Sequence, residues 1–516
     1  MRKNRLETQK SEKGLGASAS EFVRSKGLLN LAVDSTKPST VAEANFKLVS
    51  STLDEAGIGW WLVSGYEGRG YRVGINLRNQ WKLISALGQI RTDRPVYLGV
   101  PGGRTVLARD VSDLGRPSDH RIYNVAAPTA VRSNPSVSFG MRYGCEIELW
   151  ETVHSESRTM IEAPRENRAA KLISDEEFTL IDAVESGVQC KVPSVLTRRM
   201  LDDIAFPVDA VYTWVDGADP KWIESKRRLE AQLSGLEYHP EANHVARFES
   251  RDELKYSLRS LEMFAPWLRK IFIVTSGQVP EWLDVDHPKI VMVSHDEIYD
   301  NKSHLPTFNS NSIISRLHHI PDLGEHFIYF NDDVMLGRPV SPGTFFYPSG
   351  IARVFPSRNH RPFGRATAED GPHFNLTRNI RMLLEAEFGI TVARAVKHTP
   401  YAMLKSVLFE MEDRFREVYE NTWSSHFRHH TDIVADQLFH YYSQIVGKSI
   451  GGSIPYRYVN IRDINFRWIL KDTLKKQDRI ALCLNDAPVE GVEPIPEDEV
   501  MHFLNSYYPV KSAFEK

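Results

Sequence analysis

The spacing of apolar and polar positions changes several times along the chain, and each change marks a boundary. Residues 1–40 are polar and rich in Lys, Ser and Gly, with a single apolar patch at 28–33, which predicts a mobile polar arm. From Val41 a helical period appears, with Ala44, Phe46, Leu48, Val49 and Leu53 on one face. Short strand-like runs follow at 60–63, 71–75, 96–98 and 106–108, with a second helix over 81–87. This pattern predicts a small N-terminal α+β domain over 41–165, in which Trp60 and Trp61 fill the core. The charged stretch 166–206 reads as a linker.

A different rhythm starts at Pro207. Strand-like runs at 208–215, 270–274, 290–293 and 327–330 alternate with helical periods, one of them carrying Leu254, Leu258 and Leu261 and opened by a Ser250/Glu253 capping box. A short helix is expected over 312–319. This order predicts an α/β fold with a mostly parallel, Rossmann-like sheet and right-handed crossovers over 207–516. After Val340 the chain turns helical, with segments at 375–388, 403–420 and 432–442, before a last short strand at 480–484.

The candidate chemistry lies where the strands stop. The run FIYF at 327–330 ends in Asn331, Asp332 and Asp333, and the run IALCL at 480–484 ends in Asn485 and Asp486. Ligands of open α/β sheets bind at the carboxyl ends of the strands, so acidic residues there are placed for Mg²⁺ or Mn²⁺ and the phosphates it carries. Such clusters are also ordinary turn formers. Trp214 and Asp216 close the first strand, where a base and ribose could be met by stacking and by a carboxylate. Arg247 and Arg251 stand at the start of the helix that follows, as a phosphate clamp or as surface ion pairs. His398 precedes Pro400 and a charged helix, and its ordinary pKa suits acid–base work, although lone histidines are more often structural.

Composition narrows the partners. The chain has 516 residues, 41% of them hydrophobic, enough for two or three domains with real cores. Its 64 basic and 67 acidic side chains leave a net charge of −3, which gives no global field for nucleic acid. Three widely spaced cysteines, Cys145, Cys190 and Cys483, make neither a disulfide framework nor a zinc ribbon and suit a reducing cytoplasm. The first residues lack the apolar core of a secretion signal, and no run reaches the roughly 18 apolar residues that span a bilayer. A cytoplasmic protein is expected, attached at most to the inner face of the cell membrane.

Five stretches resemble the Stealth proteins, bacterial capsular and exopolysaccharide phosphotransferases related to the catalytic subunit of the lysosomal-enzyme N-acetylglucosamine-1-phosphotransferase. They are DAVYTWVDGADPKW from Asp209, RDELKYSLRSLEMFAPWLRKIFIVTSGQVPEWL from Arg251, FIYFNDDVMLG from Phe327, the KHTPY to RHHTD region from Lys397, and CLND from Cys483. The first 200 residues look most like the extra domain of the actinobacterial exopolysaccharide members. The resemblance implies a nucleotide-sugar transferase sheet with a helical insertion. It also implies transfer of a hexose- or N-acetylhexosamine-1-phosphate from a UDP-sugar to a hydroxyl of an oligosaccharide or polysaccharide acceptor, with release of UMP. It assigns Asp333 as a catalytic or metal-ligating carboxylate, His398 as general base and Arg428 as charge stabiliser. Asp332 and Asp486 join Asp333 as metal ligands, and Trp214, Asp216, Arg247, Arg251 and Asn331 contact substrate. Where the family pattern has a Glu closing an A-I-E triplet, this chain reads Ser312, Ile313, Ile314. Two other readings compete: a metal-dependent glycosyltransferase that releases UDP, and a non-catalytic glycan-binding relative, which Ile314 motivates.

Overall fold

The structure, a computed structural model, describes residues 21–64, 70–154, 158–233, 251–367, 369–370, 372–486 and 497–516. It divides into two compact units, Met1–Leu201 and Asp202–Lys516.

In the first unit the helix Pro38–Glu55 buries Phe46, Val49 and Leu53 against a sheet that includes Trp60–Leu62, Arg72–Asn76 and Cys145–His154. Trp60 and Trp61 are core residues. The Trp60 indole N–H donates to Asp54 Oδ1 at 2.8 Å, and Trp61 lies edge-on to Trp150 and Phe178.

Two expectations change here. Part of the predicted arm, Phe22–Ser25 and Leu28–Val33, forms an antiparallel pair, and the second strand pairs in parallel with Thr129–Val131. The apolar patch at 28–33 thus finds its partner a hundred residues away, which local composition cannot show. The stretch read as a linker carries strands Leu172–Ser174, Leu180–Glu185 and Val188–Pro193, and Cys190, Val192 and Leu196 join the same core as Trp61.

The second unit is built on a five-stranded sheet. Its strands are β1 (Val208–Thr213), β2 (Ile271–Thr275), β3 (Ile290–Ser294), β4 (His326–Asn331) and β6 (Tyr401–Leu404), in the order β3-β2-β1-β4-β6. All neighbours are parallel except β4 and β6. The β-branched and aromatic runs suit strands covered on both faces. A second sheet has the order β5-β8-β7, from β5 (Val334–Leu336), β7 (Tyr456–Asn460) and β8 (Ala481–Asn485).

Besides a single turn at His295–Ile298, the helices named below are α1 (Pro220–Gln232), α2 (Glu253–Phe264), α3 (Ser310–Ile314), α4 (Pro372–Phe388), α5 (Lys405–Arg414), α6 (Arg416–Ser424), α7 (Ala435–Ile445), α8 (Phe466–Lys476) and α9 (Glu497–Tyr507). The single helix expected over 403–420 is therefore an edge strand followed by two helices that break at Phe415. The pattern YAML at 401–404 is apolar throughout and satisfies a helix or a strand equally; pairing with β4 decides it.

Candidate active site

The four residues Phe327 to Phe330 are buried to 1% exposure or less, and Asn331 ends the strand. The chain then turns through Asp332 and Asp333 into β5, which pairs with β8 of the second sheet. The acidic pair therefore stands where the backbone passes from one sheet to the other. Helix α2 is fixed to this turn through its small side chains. Ser257 Oγ donates to the Val334 carbonyl at 2.6 Å, and the Leu336 amide donates to Ser260 Oγ at 2.9 Å. Asp252, at φ +60°, bends the chain into α2 in the left-handed region that Asp tolerates. The first helical residue, Glu253, is left 8% exposed, with its carboxylate close enough to Asp333 to be raised by that charge and close enough to Asp332 to raise it in turn. Glu253 accepts the Arg251 amide at 2.5 Å. Its expected capping partner, Ser250, lies outside the described residues.

Strand β6 delivers His398. Tyr329 faces Tyr401 across the antiparallel pair, so the segment just before Tyr401 reaches the end at which Asn331 leaves β4. A continuous chain of hydrogen bonds results. Thr213 Oγ1 lies 2.9 Å from Tyr329 Oη, whose hydroxyl donates to Asn331 Oδ1 at 2.8 Å. That bond turns the Asn331 amide nitrogen toward His398 Nε2, 2.6 Å away. The other ring nitrogen, Nδ1, lies 2.9 Å from Cys483 Sγ, and the thiol donates to Asp333 Oδ2 at 3.3 Å. In this arrangement Nε2 holds the imidazole lone pair and Nδ1 the proton. Asp333 Oδ1 is buried with no hydrogen-bond partner, an arrangement that asks for a cation or a substrate group.

The electrostatics separate two kinds of carboxylate. Burial, then the Asp333 and Glu253 charges, push Asp332 well above the usual carboxylate range. Burial likewise pushes Glu253 up to about 7, with Asp333 adding to the rise. Asp436, on α7, is raised by burial to about 6, although His398 and Arg428 both favour its charged form. Asp486 is the opposite case. Burial works against its charge, yet the guanidiniums of Arg462 and Arg251, the latter at 2.8 Å, hold its carboxyl below the usual range. Burial and Asp333 push the Cys483 thiol well up, so it stays protonated.

The structure gathers most of the residues singled out from sequence. Asn331, Asp332, Asp333 and His398 converge, and Arg251 and Asp486 pair beside them. Thr213 faces Asn331 in register, so Trp214 and Asp216 leave the sheet at the same end. Asp216 is tied into its own turn, accepting the Ala218 amide at 2.9 Å, while Gln278 bonds its backbone on both sides. Arg428 donates to Ser310 Oγ at 2.5 Å at the start of α3, where Asn309 accepts the Asn311 amide and donates to Asp432. Ile314, at the end of α3, is buried at 5% exposure. Arg247 lies outside the described residues.

Asp486, expected among the metal ligands, has its two carboxylate oxygens on Arg251 and Arg462. Burial and the Asp333 charge raise both Asp332 and Glu253, and one buried Asp333 oxygen is left unbonded, the acidic surroundings that a divalent ion would meet here. Sequence reasoning missed Glu253, taken for a cap, and Cys483, noted without a role. It also missed Asp436, Arg462 and Tyr329, whose parts depend on partners far along the chain.

Comparison with known proteins returns three family models: Stealth protein CR1, conserved region 1, over residues 206–234; Stealth protein CR2, conserved region 2, over 247–354; and Stealth protein CR3, conserved region 3, over 397–444. Cys483 and Asp486 lie outside all three. The exopolysaccharide phosphotransferase SCO6021 of Streptomyces coelicolor is 37% identical, over 93% of this chain and 91% of that protein. A second from the same organism, SCO2592, is 37% identical over 97% of this chain, which spans 54% of that longer relative. The exopolysaccharide phosphotransferase CpsY of Mycobacterium tuberculosis is 34% identical, over 90% of this chain and 86% of that protein. Among solved structures, the galactosyltransferase LgtC is 10% identical over 58% of this chain and 95% of that one, with a TM-score of 0.28, too loose a likeness to argue from.

Proposed function

Since the chain belongs to the Stealth family, with exopolysaccharide phosphotransferases among its relatives, we propose that it transfers a sugar-1-phosphate from a UDP-sugar to a glycan hydroxyl. The acceptor oxygen attacks the phosphorus that bears the sugar, the bond from that phosphorus to the bridging oxygen breaks, and UMP leaves. The product is a phosphodiester. The observation that carries this reading is the unbonded Asp333 oxygen beside an imidazole whose lone pair sits on a defined nitrogen, both at the carboxyl end of a parallel strand.

His398 Nε2 takes the proton of the acceptor hydroxyl, which replaces the Asn331 amide at that nitrogen. Cys483 at Nδ1 holds the ring, the displaced Asn331 amide, still oriented by Tyr329, turns to the acceptor oxygen, and Arg428 meets the phosphoryl oxygens with its planar fork. A Mg²⁺ or Mn²⁺ ion held by Asp332 and Asp333 would neutralise charge on those oxygens. Trp214 and Asp216 offer a stacking face and a carboxylate for the nucleoside. The donor and the three free thiols suit the cytoplasm, and no helix among the described residues is long and apolar enough to cross a membrane.

The test is incubation with a panel of UDP-sugars, Mg²⁺ and oligosaccharides, followed by analysis of the nucleotide released. UMP is expected; UDP would make the protein a glycosyltransferase. Binding of a UDP-sugar with no turnover would fit a catalytically silent member, the reading that Ile314 favours.

A further inference from the structure

Asp333 Oδ2, His398 Nδ1 and Cys483 Sγ lie within 4.8 Å of one another. The separations are 2.9 Å from nitrogen to sulfur, 3.3 Å from sulfur to oxygen and 3.8 Å from nitrogen to oxygen. A tetrahedral zinc centre with bonds of about 2.0–2.3 Å sets its ligand atoms roughly 3.3–3.6 Å apart. The three donors already stand near the corners of one face of such a tetrahedron. The other Asp333 oxygen, Oδ1, is buried without a hydrogen-bond partner.

We propose that Asp333, His398 and Cys483 form a binding site for a softer divalent ion of the Zn²⁺ class, and that its occupancy stops transfer. Imidazole and thiolate favour Zn²⁺ over Mg²⁺, which prefers oxygen alone. Binding replaces the thiol proton, which leaves to solvent, so that carboxylate and thiolate together balance the two charges of the ion. With Nδ1 on the ion, the imidazole proton sits on Nε2. A half-turn of the Asn331 amide then offers its oxygen to that proton, and the Tyr329 hydroxyl turns to Thr213; this is the outer support that metal-bound histidines usually have. The ion would take both the candidate base and the candidate carboxylate out of use. That last step rests on the proposed function, whereas binding does not.

A second cluster, His318, His319 and Glu412, serves as a contrast. Both ring nitrogens lie 2.6 Å from one Glu412 oxygen, but Arg416 holds the other oxygen at 2.8 Å and Arg316 stands 3.8 Å away. Two guanidiniums already supply its positive charge, and one ion per chain is expected.

Co²⁺, as a spectroscopic stand-in for Zn²⁺, tests the site on the full chain without chemistry. One equivalent should give a near-ultraviolet thiolate-to-cobalt band that is absent from Cys483→Ser and Cys483→Ala. No band in the unaltered protein, or an equal band in the variants, overturns the site. Proton release, read with an indicator dye in weak buffer, answers the same question with Zn²⁺ itself. One equivalent should release about one proton more from the unaltered protein than from Cys483→Ser, and equal release overturns the proposal. Zn²⁺ titrated against Mg²⁺-supported turnover should inhibit, with recovery on chelation. A cobalt band without inhibition leaves the site standing and overturns instead the assignment of Asp333 and His398 to transfer.

Discussion

Two strand ends with the same local sequence, Asn-Asp-Asp after β4 and Asn-Asp after β8, have opposite electrostatics. Asp332 and Asp333 meet a third carboxylate, Glu253, and no guanidinium is bonded to them among the described residues. Asp486, on the neighbouring strand pair, meets Arg251 and Arg462. The first group is a set of buried acids in which one guanidinium, that of Arg251, stands 3.9 Å from Glu253, and their mutual repulsion costs stability unless a cation arrives. The second has its carboxylate matched by two guanidiniums and holds structure together. A carboxylate at a strand end therefore has no role of its own; the side chains brought in from elsewhere decide it.

The contrast breaks most directly at Asp333. Asp333→Ala should lower kcat by at least ~10²-fold with the fold retained, since it removes a group expected to stabilise charge in the transition state. Activity within a few-fold of the parent would remove Asp333 from the chemistry.

Glu253 sharpens the contrast through pH. Its folded pKa, about 7, exceeds its ordinary 4.5, so the folded state holds a proton that the unfolded state has lost between those values. Ion-free stability should fall as pH rises from about 4.5 to about 7, by on the order of 3 kcal/mol for this group. Glu253→Gln should recover that stability at pH 8, and Mg²⁺ should raise the Tm of the parent more at pH 8 than at pH 5. Equal shifts at both pH values would show that the cluster does not take the ion. Asp486 runs the other way. Its depressed pKa gives stability that is present above its ordinary value of 3.8 and is lost as pH falls through the folded value. Asp486→Asn should cost roughly 2 kcal/mol in denaturant unfolding by removing the carboxylate that both guanidiniums share, with Mg²⁺ affinity changed only a few-fold. A hundredfold loss of Mg²⁺ affinity would return Asp486 to the metal site.

The smallest effect is expected at Tyr329. Tyr329→Phe removes the hydroxyl that orients Asn331 and should lower kcat by about tenfold, the worth of one hydrogen bond, with KM little changed. An unaltered kcat would show that the reaction needs no oriented Asn331 amide.

Much of the frame was legible in the sequence. The FIYF run at 327–330 announces a buried strand, and the alternation of strands and helices from Pro207 announces a parallel sheet. His398 stood out as a residue, but its placement did not, because YAML at 401–404 fits two elements and only the β4 edge selects one. Glu253 was visible as a cap for the same reason that it was missed as an acid: spacing reports the helix start, not which side chains lie across from it. Cys483 and Arg462 carry no local signal at all. Their importance comes from desolvation and from partners as much as 150 and 24 residues away.

The pairing of β5 with β8 also sets a timetable for synthesis. The two strands that bind Asp333 to Cys483 are separated by 150 residues, and β5 has no other partner in its sheet. At about 5–20 residues per second, a ribosome needs on the order of 10 s to supply the second after the first. During that interval the five-stranded sheet can close while β5 waits with its backbone edge uncovered, and no partly made chain can hold His398 against Asp333 through a thiol. Chains stalled before β8 emerges would thus be both inert and open to strand-to-strand association with their neighbours on the same message.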